Sequence, residues 1–114
     1  MKRFLLVFLM VCFLIPSPLF SAAINSEAIT VSSTAIGITA SLLSSGTTRA
    51  QKSEGLCTVE SNQIRYRVDG SNPTTSVGHV ADPGDIIHLE GFSELVNFRA
   101  IRTSADAKLY CTVW

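Results

Sequence analysis

The chain has 114 residues, nine of them Lys or Arg and nine Asp or Glu, with 46% hydrophobic residues. That length supports one domain, and the balanced charge excludes the basic footprint that nucleic-acid binders carry. When Lys2 and Arg3 leave with the N-terminal segment described next, seven basic residues face nine acidic ones and the balance turns slightly acidic.

Residues 1–23 read as an export signal. Lys2 and Arg3 form a short positive start, and residues 4–15 are an unbroken apolar run. That run is too short to cross a bilayer core of ~30 Å as a helix. Pro16 and Pro18 end it, and Ser21, Ala22 and Ala23 offer small residues for cleavage before Ile24. A retained anchor is the alternative, opposed by the shortness and the two prolines. Val11 before Cys12 argues against lipidation there. Residues 24–114 are then a single exported domain, secreted or periplasmic, with no membrane contact after cleavage. A domain of that size has little volume for its surface and needs a staple or a partner.

Residues 28–31 and 35–40 are short Ile/Val/Thr-rich runs separated by Ser32-Ser33. Residues 44–48 are a loop by composition, and residues 49–55 are polar, an edge strand or a loop. Residues 56–60 read as a strand, Ser61-Asn62 as a brief irregularity, and residues 64–68 as a second strand. In the latter Ile64, Tyr66 and Val68 alternate with Arg65 and Arg67. Asp69-Gly70 then marks a tight reversal, and Pro73 stops strand pairing. Asp82-Pro83-Gly84-Asp85 is a turn in which Pro presets φ and Gly relieves it. Residues 86–90 form a strand broken by Gly91. Residues 96–102 form the next, with Val96, Phe98 and Ala100 on one face and Asn97, Arg99 and Ile101 on the other. Residues 103–107 make a hairpin-type connection to a final strand over residues 108–114. Short strands between turns, with no helical periodicity after the leader, predict an all-β fold: a small antiparallel sandwich or barrel of jelly-roll or Ig-like type.

Cys12 departs with the leader, leaving Cys57 and Cys111 as a disulfide in an exported chain. Cys57 shares a strand face with Val59, and Cys111 shares one with Leu109 and Val113, so both sulfurs point to the apolar side. A buried bridge between first and last strands is expected, worth ~4 kcal/mol in the chain-entropy model. Two free buried thiols are the alternative, and the wide separation opposes a zinc site.

Across the mature chain, TASL, TRA, CTVE, IRYRVDGSNPT, VGHV, LEG, NFRAIRTSADA and LYCTVW resemble small virion-associated β-domain proteins of tailed phages and prophages. The shorter core Tyr66-x-x-Asp69-Gly70-x-x-Pro73-Thr74 is similar to β-sandwich modules appended to chitobiase-like and other carbohydrate-active enzymes. The first resemblance implies a non-catalytic structural domain that associates with itself or another protein, in a virion. The second implies a secreted sugar-binding module. Neither lends a catalytic residue or a cofactor to any position.

The candidate chemistry is sparse. His88 and Glu90 share a strand face, and GDIIHLEG invites comparison with cupins. His79 and His88 are too far apart for the cupin ligand pattern, and an amphipathic solvent face explains His88 and Glu90. The serines lack a nucleophile elbow, and Asp82 and Asp85 are explained as turn residues rather than a glycosidase pair. No enzyme and no metal or other cofactor is therefore expected. Arg65 and Arg67 form a basic stripe, beside Arg99 of another strand, that suits a protein interface. A solvated face paired with Asp69, Glu60 or Glu90 is the plainer account. Tyr110 and Trp114 share a face with Thr112 and either stack on a sugar, with Phe92 as a third ring, or seal the sandwich edge.

Overall fold

A computed structural model of the chain describes residues 24–43 and 52–114. The expected signal peptide, the loop over residues 44–48 and the start of the polar stretch at 49–51 lie outside them. Seven strands form two antiparallel sheets packed as a small sandwich. The strands are β1 (Asn25–Val31), β2 (Glu54–Ser61), β3 (Ile64–Arg67), β4 (His79–Ala81), β5 (Ile86–Glu90), β6 (Arg99–Arg102) and β7 (Ala107–Val113). One sheet has the order β1-β7-β2-β5 and the other β4-β3-β6. Two short helices accompany them, α1 (Ala40–Leu43) and α2 (Phe92–Asn97). Among the described residues no helix is long and apolar enough to cross a membrane.

Strand alternation builds the core. Ala107, Leu109, Cys111 and Val113 of β7 are buried while Lys108 and Tyr110 are exposed. Cys57 and Val59 of β2, Ile87 and Leu89 of β5, and Ile29 and Val31 of β1 join them from the same sheet. The facing sheet contributes Ile64, Ala81 and Ala100, with Phe98, Leu95, Ile38 and Leu43 filling between. The Cys57–Cys111 bridge is present at a Cα–Cα distance of 4.1 Å, and the two residues are register partners in β2 and β7. The bridged strands are thus sheet neighbours, and the first strand, β1, lies on the other side of β7.

The chain passes between sheets at two corners. At the first, the β2–β7 register shifts between Val59 and Ser61, and Asn62 follows with φ of 58°. A bulge followed by a left-handed residue bends the strand out of one sheet and into the next. Asn62 Nδ2 secures this corner by donating to the Asp106 carbonyl at 2.7 Å. At the second, residues 103–106 carry the chain from β6 to β7. This corrects the hairpin expected there, because β6 and β7 belong to different sheets. An Arg102–Asp106 ion pair and the bond from Asn62 hold the crossing.

The expected strand over residues 96–102 is also corrected. Val96 and Asn97 end α2, and only Arg99–Arg102 is strand. Phe98 and Ala100 do point inward, as the alternation requires. The helix starts after Gly91, whose φ is 91°, and Glu94 in its first turn accepts the Glu90 N–H at 2.7 Å, an acidic group placed where the helix dipole favours it. Phe92 and Leu95, three apart, turn toward the core. Similarly, the β-friendly run at 35–40 is mostly irregular. It makes one bridge, Ile36 with Ala100, before α1 begins.

The Pro83-Gly84 turn forms as expected: Asp85 N–H bonds the Asp82 carbonyl at 2.9 Å, and Gly84 has φ of 92°, the type II requirement. Gly70 likewise adopts a positive φ. The reversal that begins there needs all of residues 68–78 before β4 pairs with β3.

Candidate functional site

The outer face of the four-stranded sheet gathers exposed apolar side chains on a regular lattice. In one row Tyr110 lies between Ala28 and Thr58, with Ile86 beyond Thr58. In the next, Thr112 lies between Ser26 and Leu56, with His88 beyond, and the Ser26 and Thr112 hydroxyls are 3.0 Å apart. In a third, Trp114 exchanges both backbone bonds with Glu54, which faces Glu90. Tyr110 is 45% exposed and Ile86 57%, while Trp114 is also exposed.

This placement corrects one expectation. The final strand is interior to its sheet, between β1 and β2, so Tyr110 seals no edge. Phe92 does not join Tyr110 and Trp114; it sits on α2 and lines a groove with Ile36 and Val96. Leu56 and Ile86, which complete the apolar surface, were not singled out from the sequence. Their signal was strand alternation combined with register, and register becomes visible only once strand order is known.

The three arginines have separate surroundings. Arg65 donates to the Thr75 carbonyl at 3.0 Å and the Gly78 carbonyl at 2.9 Å, tying down the 68–78 loop. Arg67 pairs with Asp69 through both Nε and Nη2. Each shifts the other: the hydrogen bond from Arg67, then the Ser71 N–H, holds the Asp69 carboxyl below its ordinary range. The hydrogen bond to Asp69 in turn raises Arg67 above its own. Arg99 stands opposite Arg67 in register, a like-charge juxtaposition that destabilises a sheet unless each charge finds a partner. Its Nη1 donates to the carbonyls of Val96 (2.9 Å) and Phe98 (2.7 Å) at the end of α2.

Gly37 is what admits Arg99. Its backbone is not left-handed, but a Cβ there would lie 2.5 Å from Arg99 Nη1 and 2.6 Å from the Phe98 carbonyl. Gly37→Ala is therefore expected to lower the urea midpoint by the equivalent of about 1–3 kcal/mol, the usual cost of overpacking. An unchanged midpoint would show that both the guanidinium and the Phe98 carbonyl give way.

The histidines stand apart. His79 opens β4 beside the Tyr66 ring, with centroids 5.4 Å apart, and His88 is exposed on β5. Among the described residues no three His, Cys, Asp or Glu side chains are grouped to hold a metal ion. Asp82 and Asp85 are occupied with their own turn, the Asp85 carboxylate accepting the Asp82 N–H at 2.8 Å.

The chain matches no protein-family model, no curated protein and no solved structure.

Proposed function

We propose that residues 24–114 form a non-catalytic interaction domain, of the kind the resemblance to virion-associated β domains implies. It meets a second copy or another protein through the outer face of its four-stranded sheet. The observation that carries this reading is the placement of exposed Tyr110, Ile86 and Trp114 around half-buried Leu56 on that face. Exposed apolar side chains clustered on one face mark binding sites, and aromatic residues are enriched where proteins meet. The Cys57–Cys111 bridge fits an oxidising compartment, in keeping with export or a place on a particle surface.

Light scattering coupled to size exclusion tests the reading. The wild-type chain is expected to assemble, and Tyr110→Glu is expected to leave a folded monomer whose thermal midpoint, unlike that of the wild type, does not depend on protein concentration. A wild-type chain that stays monomeric and recruits no protein partner through Tyr110 would overturn it.

A second reading rests on the position of Tyr110 at mid-sheet beside Thr58, Thr112 and Ser26. An aromatic face ringed by hydroxyls suits a sugar, as in the chitobiase-type modules. Glycan binding by the monomer, lost in Tyr110→Ala, would favour it over the first.

A further inference from the structure

A groove of about 480 Å³ lies between residues 35–38, α1 and α2. Its walls are apolar, chiefly Ile36, Ile38, Leu43, Phe92 and Val96, and among the described residues that line it Arg99 alone is charged. Ile36 and Val96 remain 40% and 39% exposed at its rim. Pockets of this size, apolar with a single placed polar group, are typical of small-ligand sites.

Among the described residues no carboxylate pairs with the charge in the groove. Among the described residues the ion pairs are Arg67–Asp69 and Arg102–Asp106, and Arg99 reaches only two carbonyls, both through Nη1. A guanidinium presents its other donors in a planar fork that matches a carboxylate. The backbone beside it is already used, since the Ile36 N–H and C=O both pair with Ala100. An extended peptide would therefore find no ladder partner at Ile36.

We infer that this groove binds a small amphipathic monocarboxylate, its apolar body between Ile36, Phe92 and Val96 and its carboxylate on Arg99. The inference is independent of the sheet-face reading above. The site is a binding site without chemistry: the carboxylate exchanges water for the Arg99 donors, and the apolar body leaves water.

The test is a titration of the full chain with decanoate and, in parallel, decanol, followed by amide chemical shifts. Decanoate is expected to saturate, with shifts concentrated at Ile36, Gly37, Phe92 and Val96. Decanol is expected to bind roughly ten- to a hundredfold more weakly, the loss of one charge-assisted contact. Arg99→Gln should weaken decanoate by a similar factor. Because Arg99 also ties down the end of α2, Val96→Asp provides a second variant that keeps Arg99 and places a repelling carboxylate at the exposed rim; it should weaken decanoate and spare decanol. The inference is overturned if decanoate and decanol bind alike, if Val96→Asp leaves decanoate unchanged, or if neither probe shifts the groove amides. It is also overturned if decanoate fails while a short peptide ending in a free apolar residue binds.

Discussion

Cys57→Ala combined with Cys111→Ala lowers the thermal midpoint by roughly 15–30 °C, one of the two largest effects expected of any change in the chain. The bridge closes a loop with a sequence separation of 54, which the chain-entropy model values at ~4 kcal/mol. One kcal/mol corresponds to about 4–8 °C in a domain of this size. The stabilisation acts mainly on the unfolded chain, because in the folded sheet β2 and β7 are already held in register by their backbone bonds. Reduction of the wild-type protein should approach the same midpoint. Melting curves of oxidised, reduced and double-variant protein make the comparison. A midpoint within about 5 °C of wild type would mean that the unfolded chain keeps these strands together without the bridge.

Phe98→Ala is expected to cost about 3–5 kcal/mol, a large part of the ~5–15 kcal/mol that small domains possess. Phe98 is the largest fully buried side chain, and it sits where α2 ends and β6 begins. Its ring packs on Tyr66 with centroids 5.8 Å apart and a tilted geometry, a contact worth ~0.5–1.5 kcal/mol beyond area burial. Its side chain is fully buried at the junction of α2 and β6, so alanine leaves a cavity in the core. Urea denaturation reads the effect as a lower midpoint with an unchanged slope. A loss below about 1.5 kcal/mol would show that Leu95 and Tyr66 close the space.

Local chemistry made much of the fold legible. The alternation of Ile64, Tyr66, Arg65 and Arg67 gave β3, the residues 86–90 gave β5 with the same bounds as observed, and Pro83-Gly84 gave its turn. The cysteine pair was legible from compartment and strand parity together. What was not legible depended on tertiary order. The six residues of α2 are too few for helical period to stand out, and Phe98 continued a strand alternation across their boundary. The crossing at residues 103–106 has the composition of a hairpin, and only the assignment of β6 and β7 to different sheets separates the two. For the same reason Tyr110 read as an edge residue when it is central. Arg99 was singled out as one member of a stripe, but its link to Gly37 and the α2 carbonyls requires three segments that share no sequence neighbourhood.

The interior position of β7 also sets a timetable. Neither β1 nor β2 pairs with the other, and each lies against β7 instead; Ser26 and Thr112, whose hydroxyls meet across that junction, are 86 residues apart. While the chain emerges from a ribosome, β7 follows every other strand of its sheet, and Cys57 waits for Cys111 until then. Up to that moment β1 and β2 each expose an unpaired edge, the condition under which chains associate wrongly. Such long-range pairing folds slowly, so the four-stranded sheet stays incomplete for as long as β7 is withheld.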